Sequence, residues 1–559
     1  MLKFIIAVLG LVAAPYPQAP AWVGSLPQSS ITTISLNNPD DTMPAALVNE
    51  VNGWDVSYSG YAFAPDYSTH GALLASGGGG YVADIYCAAA FDMATRKWVP
   101  VWTERPPLTW ADGSEFSFNP ADMPPDATVF PSNTGKGTVY YFKPQGTTTW
   151  DSWWLYTSNP FRTGETALHV PMAAHEYNGL LGLPAGTLGT GEYGGLLLGM
   201  RTFATVNGGL CSMYPFVLDL KTASRAPANR SAWQRLSEIP FPPGGIFSEN
   251  KPFGNNNHGI TTSFDYTRKR ALISWAAGGR GTAAVNMSGG AGSESYAWMG
   301  IDDASQLFPY GCARLMGNTD IRVIASTESS TVKVYCVNLD PAVTASVRRI
   351  VPITNISGTA PGVGGNNGFA GLSFDWVADA YGGEGAFAFF TVGSPWPKAL
   401  YWLKPPVNRS AWQTGQWMWE CEDLTGDTPI PLASECWGRF YWAPKCGVGV
   451  WCGDSRTGVQ AIRSSRVSGT TGICVRPDPA ASAIVVRPNP FRERVIVDAI
   501  SAGIGADASL SLYTITGKLV RRATGARADW DAGDLAPGIY VINARGLNKA
   551  LVKSVVSVK

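Results

Sequence analysis

The chemistry-bearing side chains of this 559-residue chain are few and unevenly placed. Histidine occurs four times, at His70, His169, His175 and His258. His175-Glu176 lacks the second histidine of a His-Glu-x-x-His zinc protease, and neither a Gly-x-Ser-x-Gly elbow nor a Gly-x-x-x-x-Gly-Lys-Ser/Thr phosphate loop occurs. The nine cysteines form no Cys-x-x-Cys pair, so no zinc ribbon or thioredoxin-type centre is indicated, and no cofactor is identified. Carboxylates are the remaining acid–base option. Asp66, Asp92, Asp219, Asp265, Asp302, Asp340 and Asp375 recur at equivalent strand ends or turns. A catalytic pair is a singular departure from a repeat, so these are expected to stabilise turns. Tryptophan is more suggestive. Trp102, Trp110, Trp150, Trp153 and Trp154 cluster around Tyr140, Tyr141 and Phe142. Indole faces stack on sugar rings and apolar ligands, but the same cluster can also form a local hydrophobic core. Trp110, Trp150, Trp153 and Trp154, with His175 and His258, are the ligand-binding candidates.

The elements that must hold these residues read as short strands. With 63 Gly, 40 Pro, 21 Trp, 21 Tyr and 22 Phe, and only 15% charged residues, the composition suits an all-β protein with many tight turns. Lys plus Arg equals Asp plus Glu, so no nucleic-acid partner is indicated. A repeat runs through the middle: strand, strand, glycine pair, strand ending in Asp, then Trp. It begins with a strand reaching a turn over Tyr61 to Asp66, then Ala72 to Ser76, Gly77 to Gly80, a third strand over Asp84 to Asp92 and an outer one from Lys97-Trp98-Val99. It recurs from Tyr177, with Val217-Leu218-Asp219 and Trp233, and from Ser263, with Gly300-Ile301-Asp302 as third strand. Further units start at Arg322, at Ser373 (closed by Trp412) and at Phe440. Asn-Arg-Ser-Ala-Trp-Gln stands at 229–234 and again at 408–413, a spacing of three units of about 60 residues.

This grammar resembles the kelch or galactose-oxidase-type β-propeller superfamily. The resemblance implies six four-stranded blades, with room for a seventh, over residues 22–474. Residues 22–52 would lead into or close the ring, and residues 103–168 would be a long insertion. Such propellers host both binders and enzymes. The copper site of the oxidases needs two histidines with tyrosines, one linked to a cysteine. His175 and His258 start corresponding units, but that tyrosine and cysteine pattern is not recognisable around them.

Both ends carry export signals. Lys3, the apolar run Phe4 to Ala14 and the small-x-small site Ala19-Pro20-Ala21 read as a signal peptide over 1–21. The run is too short to span a membrane, and no later segment is apolar enough. After a linker at 475–486, residues 487–559 contain Pro488-Asn489-Pro490-Phe491, a hairpin turn at Gly517-Lys518 and the strand start Gly538-Ile539-Tyr540. This order resembles the C-terminal sorting domain of the type IX secretion system, a small immunoglobulin-like sandwich related to FlgD-like domains. The resemblance implies the type IX machinery as partner and a secreted or outer-surface bacterial location. The expected protein is a binding module for glycan or protein; a carbohydrate-active hydrolase or lyase, or a copper oxidase, is the alternative on the same scaffold.

Overall fold

A computed structural model of the chain describes residues 19–43, 60–76, 88–102, 130–133, 138–141, 153–155, 169–171, 178–199, 201–203, 210–212, 215–225, 233–237, 239, 260–275, 281–287, 293–300, 312–326, 332–343, 349–362, 373–390, 398–431, 438–453, 456–467, 485–487, 494–498, 509–514, 518–525, 527–531, 533–545 and 550–557. It divides into two compact units, Met1–Cys474 and Val475–Lys559. Among the described residues no helix is long and apolar enough to cross a membrane.

The first unit is built from antiparallel sheets laid out in chain order. The first holds Tyr61–Ala64, Ala72–Ser76, Ala88–Asp92 and Lys97–Trp102, and the second Leu180–Leu183, Gly195–Leu198, Phe216–Asp219 and Trp233–Arg235. The third holds Ile260–Asp265, Arg270–Trp275, Gly281–Met287 and Glu294–Gly300, and the fourth Cys312–Leu315, Ile321–Ser326, Lys333–Asn338 and Val351–Pro352. The fifth contains Ser373–Val377, Ala386–Phe390, Ala399–Lys404 and Trp417–Asp423; the sixth contains Phe440–Ala443, Val448–Cys452 and Val459–Arg463. The first strands touch in succession, each beside that of the next sheet, and Phe440–Ala443 returns to lie beside Tyr61–Ala64. The arrangement is propeller-like.

Burial explains why these strands read as continuous apolar runs. Each sheet is covered on both faces, so both sets of alternating side chains are buried. Ala386, Ala388 and Phe390 join a core shared with the sixth sheet, whereas Phe387 and Phe389 join one shared with the fourth. Leu73 and Ala75 likewise face the sixth sheet, and Ala72 and Leu74 the second.

The sixth sheet takes its fourth strand from the other end of the unit. Ser30–Ser35 pairs antiparallel with Val459–Arg463, so the N-terminal segment closes the ring. The short helix Ala21–Gly24 precedes it; Trp22 Nε1 donates to the Met93 carbonyl of the first sheet at 3.0 Å. Two further stitches join outer edges. Ile356–Ser357 pairs parallel with Trp417–Met418, and Thr425–Gly426 pairs parallel with Ser30–Ile31.

Three strand assignments differ from the sequence expectation. The fourth sheet starts a strand earlier than Arg322, at Cys312–Leu315. In the third sheet the third strand is Gly281–Met287, and Gly300 ends the outer strand. The run there opens on small residues, Gly281-Thr282-Ala283-Ala284, before its first large apolar residue, Val285. In the fifth sheet Trp412 precedes the outer strand, which starts at Trp417. Trp412 sits in the connection after the 3-10 turn Arg409–Ala411, which Asn408 caps by accepting from Ser410 N at 3.2 Å.

In the second unit, Val485–Arg487, Arg494–Asp498 and Arg527–Asp531 form a three-stranded sheet. Leu519–Thr524, Ser509–Thr514, Gly538–Arg545 and Ala550–Ser557 form a four-stranded one. Val495, Val497, Ala528 and Trp530 from the first, with Leu510, Leu512, Tyr540 and Ile542 from the second, are buried.

Candidate functional site

The sequence-predicted ligand residues divide between described and undescribed regions. Trp110, Trp150, His175 and His258 lie outside the described residues. Trp153 and Trp154 belong to the strand Trp153–Leu155, which pairs with His169–Pro171 in a two-stranded ladder. His169–Pro171 lies beside Trp233–Arg235, the outer strand of the second sheet, so this hairpin is anchored on the ring's outer edge. A second ladder, Phe130–Asn133 with Thr138–Tyr141, also falls in the insertion. Trp102 is a core residue: it is fully buried between the first and second sheets, edge-on to Trp233 at 6.1 Å. His70 is buried in the turn after the first strand, and burial together with Lys445 holds its pKa below the usual imidazole value.

The turn aspartates act as hydrogen-bond acceptors for backbone turns. Asp92 accepts from Ala94 N at 2.9 Å, Asp219 from Lys221 N at 3.1 Å, Asp265 from Arg268 N at 3.0 Å and Asp340 from Ala342 N at 2.9 Å. Their oxygens replace the backbone partners that a tight turn cannot supply. Asp66 has a different task, joining separate turns: it pairs with Lys445 at 3.0 Å and accepts from Ala185 N at 2.8 Å. Asp302 lies outside the described residues.

Polar chemistry is concentrated where the first strands meet. Arg314 projects from the fourth sheet, its Nε 3.5 Å from Asp375 Oδ1 of the fifth. Its Nη1 donates to the carbonyls of Ala313 at 2.9 Å and Thr262 at 3.4 Å, and the guanidinium lies 5.2 Å from the Tyr441 ring centroid. Tyr441 donates to the Tyr61 carbonyl, and Asp375 accepts from Trp442 N at 3.1 Å. Arg439 rests over the Tyr61 ring at 4.1 Å. Five of the six sheets are thereby tied together. Burial pushes the Tyr441 phenol up to about 12, against the opposing pull of Arg314, so it remains protonated at neutral pH. Burial alone would lower the Arg314 pKa, but the neighbouring Cys312, Tyr441 and Asp375 raise it. The cluster suits locking the ring rather than moving protons. Its signal in the sequence was weak, because Arg314, Asp375 and Tyr441 come from three distant units and no motif joins them. Among the described residues no three His, Cys, Asp or Glu side chains gather in a metal-binding group, and Cys312, Cys336 and Cys421 are outside any disulfide.

The second unit holds its site residues on a cross-braced pair of sheets. Tyr540 donates to the Ala536 carbonyl at 2.8 Å, four residues upstream, which ties the turn before Gly538 to the strand. Lys518 N donates to Thr514 Oγ1 at 3.1 Å and closes the hairpin. Arg521 donates to the Asp531 carbonyl at 3.1 Å and pairs with Asp534, linking the two sheets. Pro488, Asn489, Pro490, Phe491 and Gly517 lie outside the described residues.

No curated protein sequence matches this chain. Three solved structures show distant likeness. PorZ, a bacterial surface component of the type IX secretion system of Porphyromonas gingivalis, is 14% identical over 92% of this chain, with a TM-score of 0.33. This chain spans 61% of the PorZ chain. The α-L-arabinanase of Penicillium chrysogenum is 13% identical over 78% of this chain and 98% of its own, with a TM-score of 0.31. The WD40 domain of Toxoplasma gondii coronin is 8% identical over 82% of this chain and 90% of its own, with a TM-score of 0.30. Residues 485–559 match the family described as the secretion system C-terminal sorting domain, which marks the chain for type IX export to the cell surface or the medium.

Proposed function

We propose that this chain is an exported bacterial binding protein, with a six-bladed, kelch-type β-propeller as cargo and an immunoglobulin-like sandwich as its sorting module. The match over residues 485–559 carries the export half of this reading. The cycle of first strands and the six shared cores support the blade count. The Tyr540 hydroxyl bonded to the backbone four residues upstream resembles the tyrosine corner of immunoglobulin-like folds. The leader would be cut after Ala21, leaving Trp22, which the fold staples to Met93, as the first residue.

A glycan or protein ligand would be taken by the insertion, through Trp110, Trp150, Trp153 and Trp154, with His175 and His258 as further candidate contacts. Loops carried on a rigid scaffold are where binding residues concentrate.

Deleting residues 485–559 tests the division of labour. The truncated protein is expected to accumulate in the periplasm. Fractionation that finds it at the surface or in the medium at undiminished levels would sink the sorting role.

A further inference from the structure

The ring buries several arginines and compensates them differently. Arg270 Nε lies 2.9 Å from Asp265, and Arg314 faces Asp375. Arg463 turns Nη1 to the carbonyls of Val23 and Leu26, and Arg439 lies over Tyr61. Arg322 has polar partners but no acidic one among the described residues. It is 1% exposed, on the second strand of the fourth sheet. Its Nη1 donates to Ser274 Oγ and to Thr282 Oγ1 at 3.2 Å, and Nη2 to the Thr261 carbonyl at 3.3 Å, all on the third sheet. Its Nε finds no acceptor among the described residues. Burial and the like charge of Arg314 bring its pKa down to about 9, so it is still a cation at neutral pH.

A second unsatisfied donor faces the same interface. Ser263 is 3% exposed, and its Oγ has no partner among the described residues. It stands two residues after Thr261, so strand alternation puts both on one face. That face meets the fourth sheet, because Thr261 Oγ1 accepts from Ala313 N at 3.1 Å, whereas Phe264 on the other face joins the core with the second sheet. The surroundings are apolar, with Leu272, Ala284, Ala313 and Ile324 in the shared core. A buried charge needs an opposite charge, and buried donors need an acceptor.

We propose that a small monovalent inorganic anion of the chloride class binds between the third and fourth sheets, accepting from Arg322 Nε and Ser263 Oγ. A water molecule would meet the hydrogen-bonding need but not the charge. A guanidinium this buried is beyond the reach of a polymeric ligand.

Thermal unfolding of the exported full chain, at constant ionic strength with sodium gluconate exchanged for sodium chloride, tests this. Chloride is expected to raise the midpoint by about 2 °C or more. Ser263→Ala keeps the charge and should raise the half-saturating chloride concentration about five- to tenfold. Arg322→Met should abolish the dependence. A bromide-soaked crystal should show an anomalous peak between the two side chains. Equal midpoints in the two salts would overturn the site, as would a Ser263→Ala variant with unchanged chloride response. Bromide bound only at crystal concentration, with no shift in solution, would also overturn it.

Discussion

Glu422 gathers more of the ring's closure than any other single carboxylate described. It is 5% exposed and accepts from Ser29 Oγ at 2.6 Å, Trp402 Nε1 at 2.9 Å, Ser465 N at 2.7 Å and Ser465 Oγ at 2.9 Å, with Ser464 Oγ as a further donor. These donors come from the N-terminal segment, the fifth sheet and the chain leaving the sixth sheet. Burial alone would raise its pKa, but the donors hold it below the usual glutamate value. A depressed carboxylate stabilises the fold above its unfolded pKa, and that contribution fades as pH falls through the folded pKa. Glu422→Gln is therefore expected to cost about 2–3 kcal/mol near neutrality, since donors aimed at a charged acceptor lose it. The gap to the wild type should shrink below about pH 4. Urea unfolding at pH 7 and pH 3 measures both; a gap that is equal at the two pH values would contradict the charged role. Nothing local in Glu420-Cys421-Glu422-Asp423 distinguishes Glu422 from its neighbours. Its partners lie up to 393 residues away in sequence, so only the closed ring reveals it.

At the scale of elements, strands buried on both faces were legible because their apolar runs and bounding turns need no long-range information. The first three strands of the first and sixth sheets stand where the apolar runs put them. Outer strands were less legible, since they are half exposed and their ends depend on a neighbour's edge. Trp412 took the place of the Trp417 strand for this reason. The candidate site was legible in residue type only: strand pattern located the insertion, but not the Arg314, Asp375 and Tyr441 convergence. The outer stitches were also hidden, although a short signature accompanies them: Ile356-Ser357-Gly358-Thr359-Ala360-Pro361 parallels Leu424-Thr425-Gly426-Asp427-Thr428-Pro429. Gly358 and Gly426 share positive φ, 81° and 85°, and a Cβ on either would come within 2.1 Å and 2.3 Å of a carbonyl oxygen on the outer strand. Glycine is needed for both the backbone angle and the approach. Gly426→Ala is expected to destabilise by roughly 2–4 kcal/mol, combining left-handed strain with a displaced edge. Gly186→Ala serves as the control, because Gly186 also has positive φ (70°) but open space around it, and about 1 kcal/mol is expected there. Similar losses for the two variants would remove the steric part of the argument.

For the whole ring, the decisive feature is that the sixth sheet is assembled from both ends of its unit. Ser30–Ser35 supplies the outer strand, Ile31 is fully buried, and Val23, Leu26, Ile34 and Met43 complete the core between the sixth and first sheets. Without this segment, Val459–Arg463 becomes an open edge, Arg463 loses the carbonyls of Val23 and Leu26, and Glu422 loses Ser29. An exposed edge strand invites pairing with another chain. A chain starting at residue 44 is thus expected to unfold at a clearly lower temperature and to self-associate. A synthetic peptide of residues 22–43 should bind it, because the missing strand has a prepared ladder on one side and the Thr425–Gly426 stitch on the other. Added in excess, the peptide should recover much of the lost midpoint and suppress association, while a peptide with Ile31→Asp should do neither. Calorimetry and light scattering read the two effects together. If the shortened chain melts like the parent, or if the Ile31→Asp peptide rescues equally, the N-terminal strand does not close the ring.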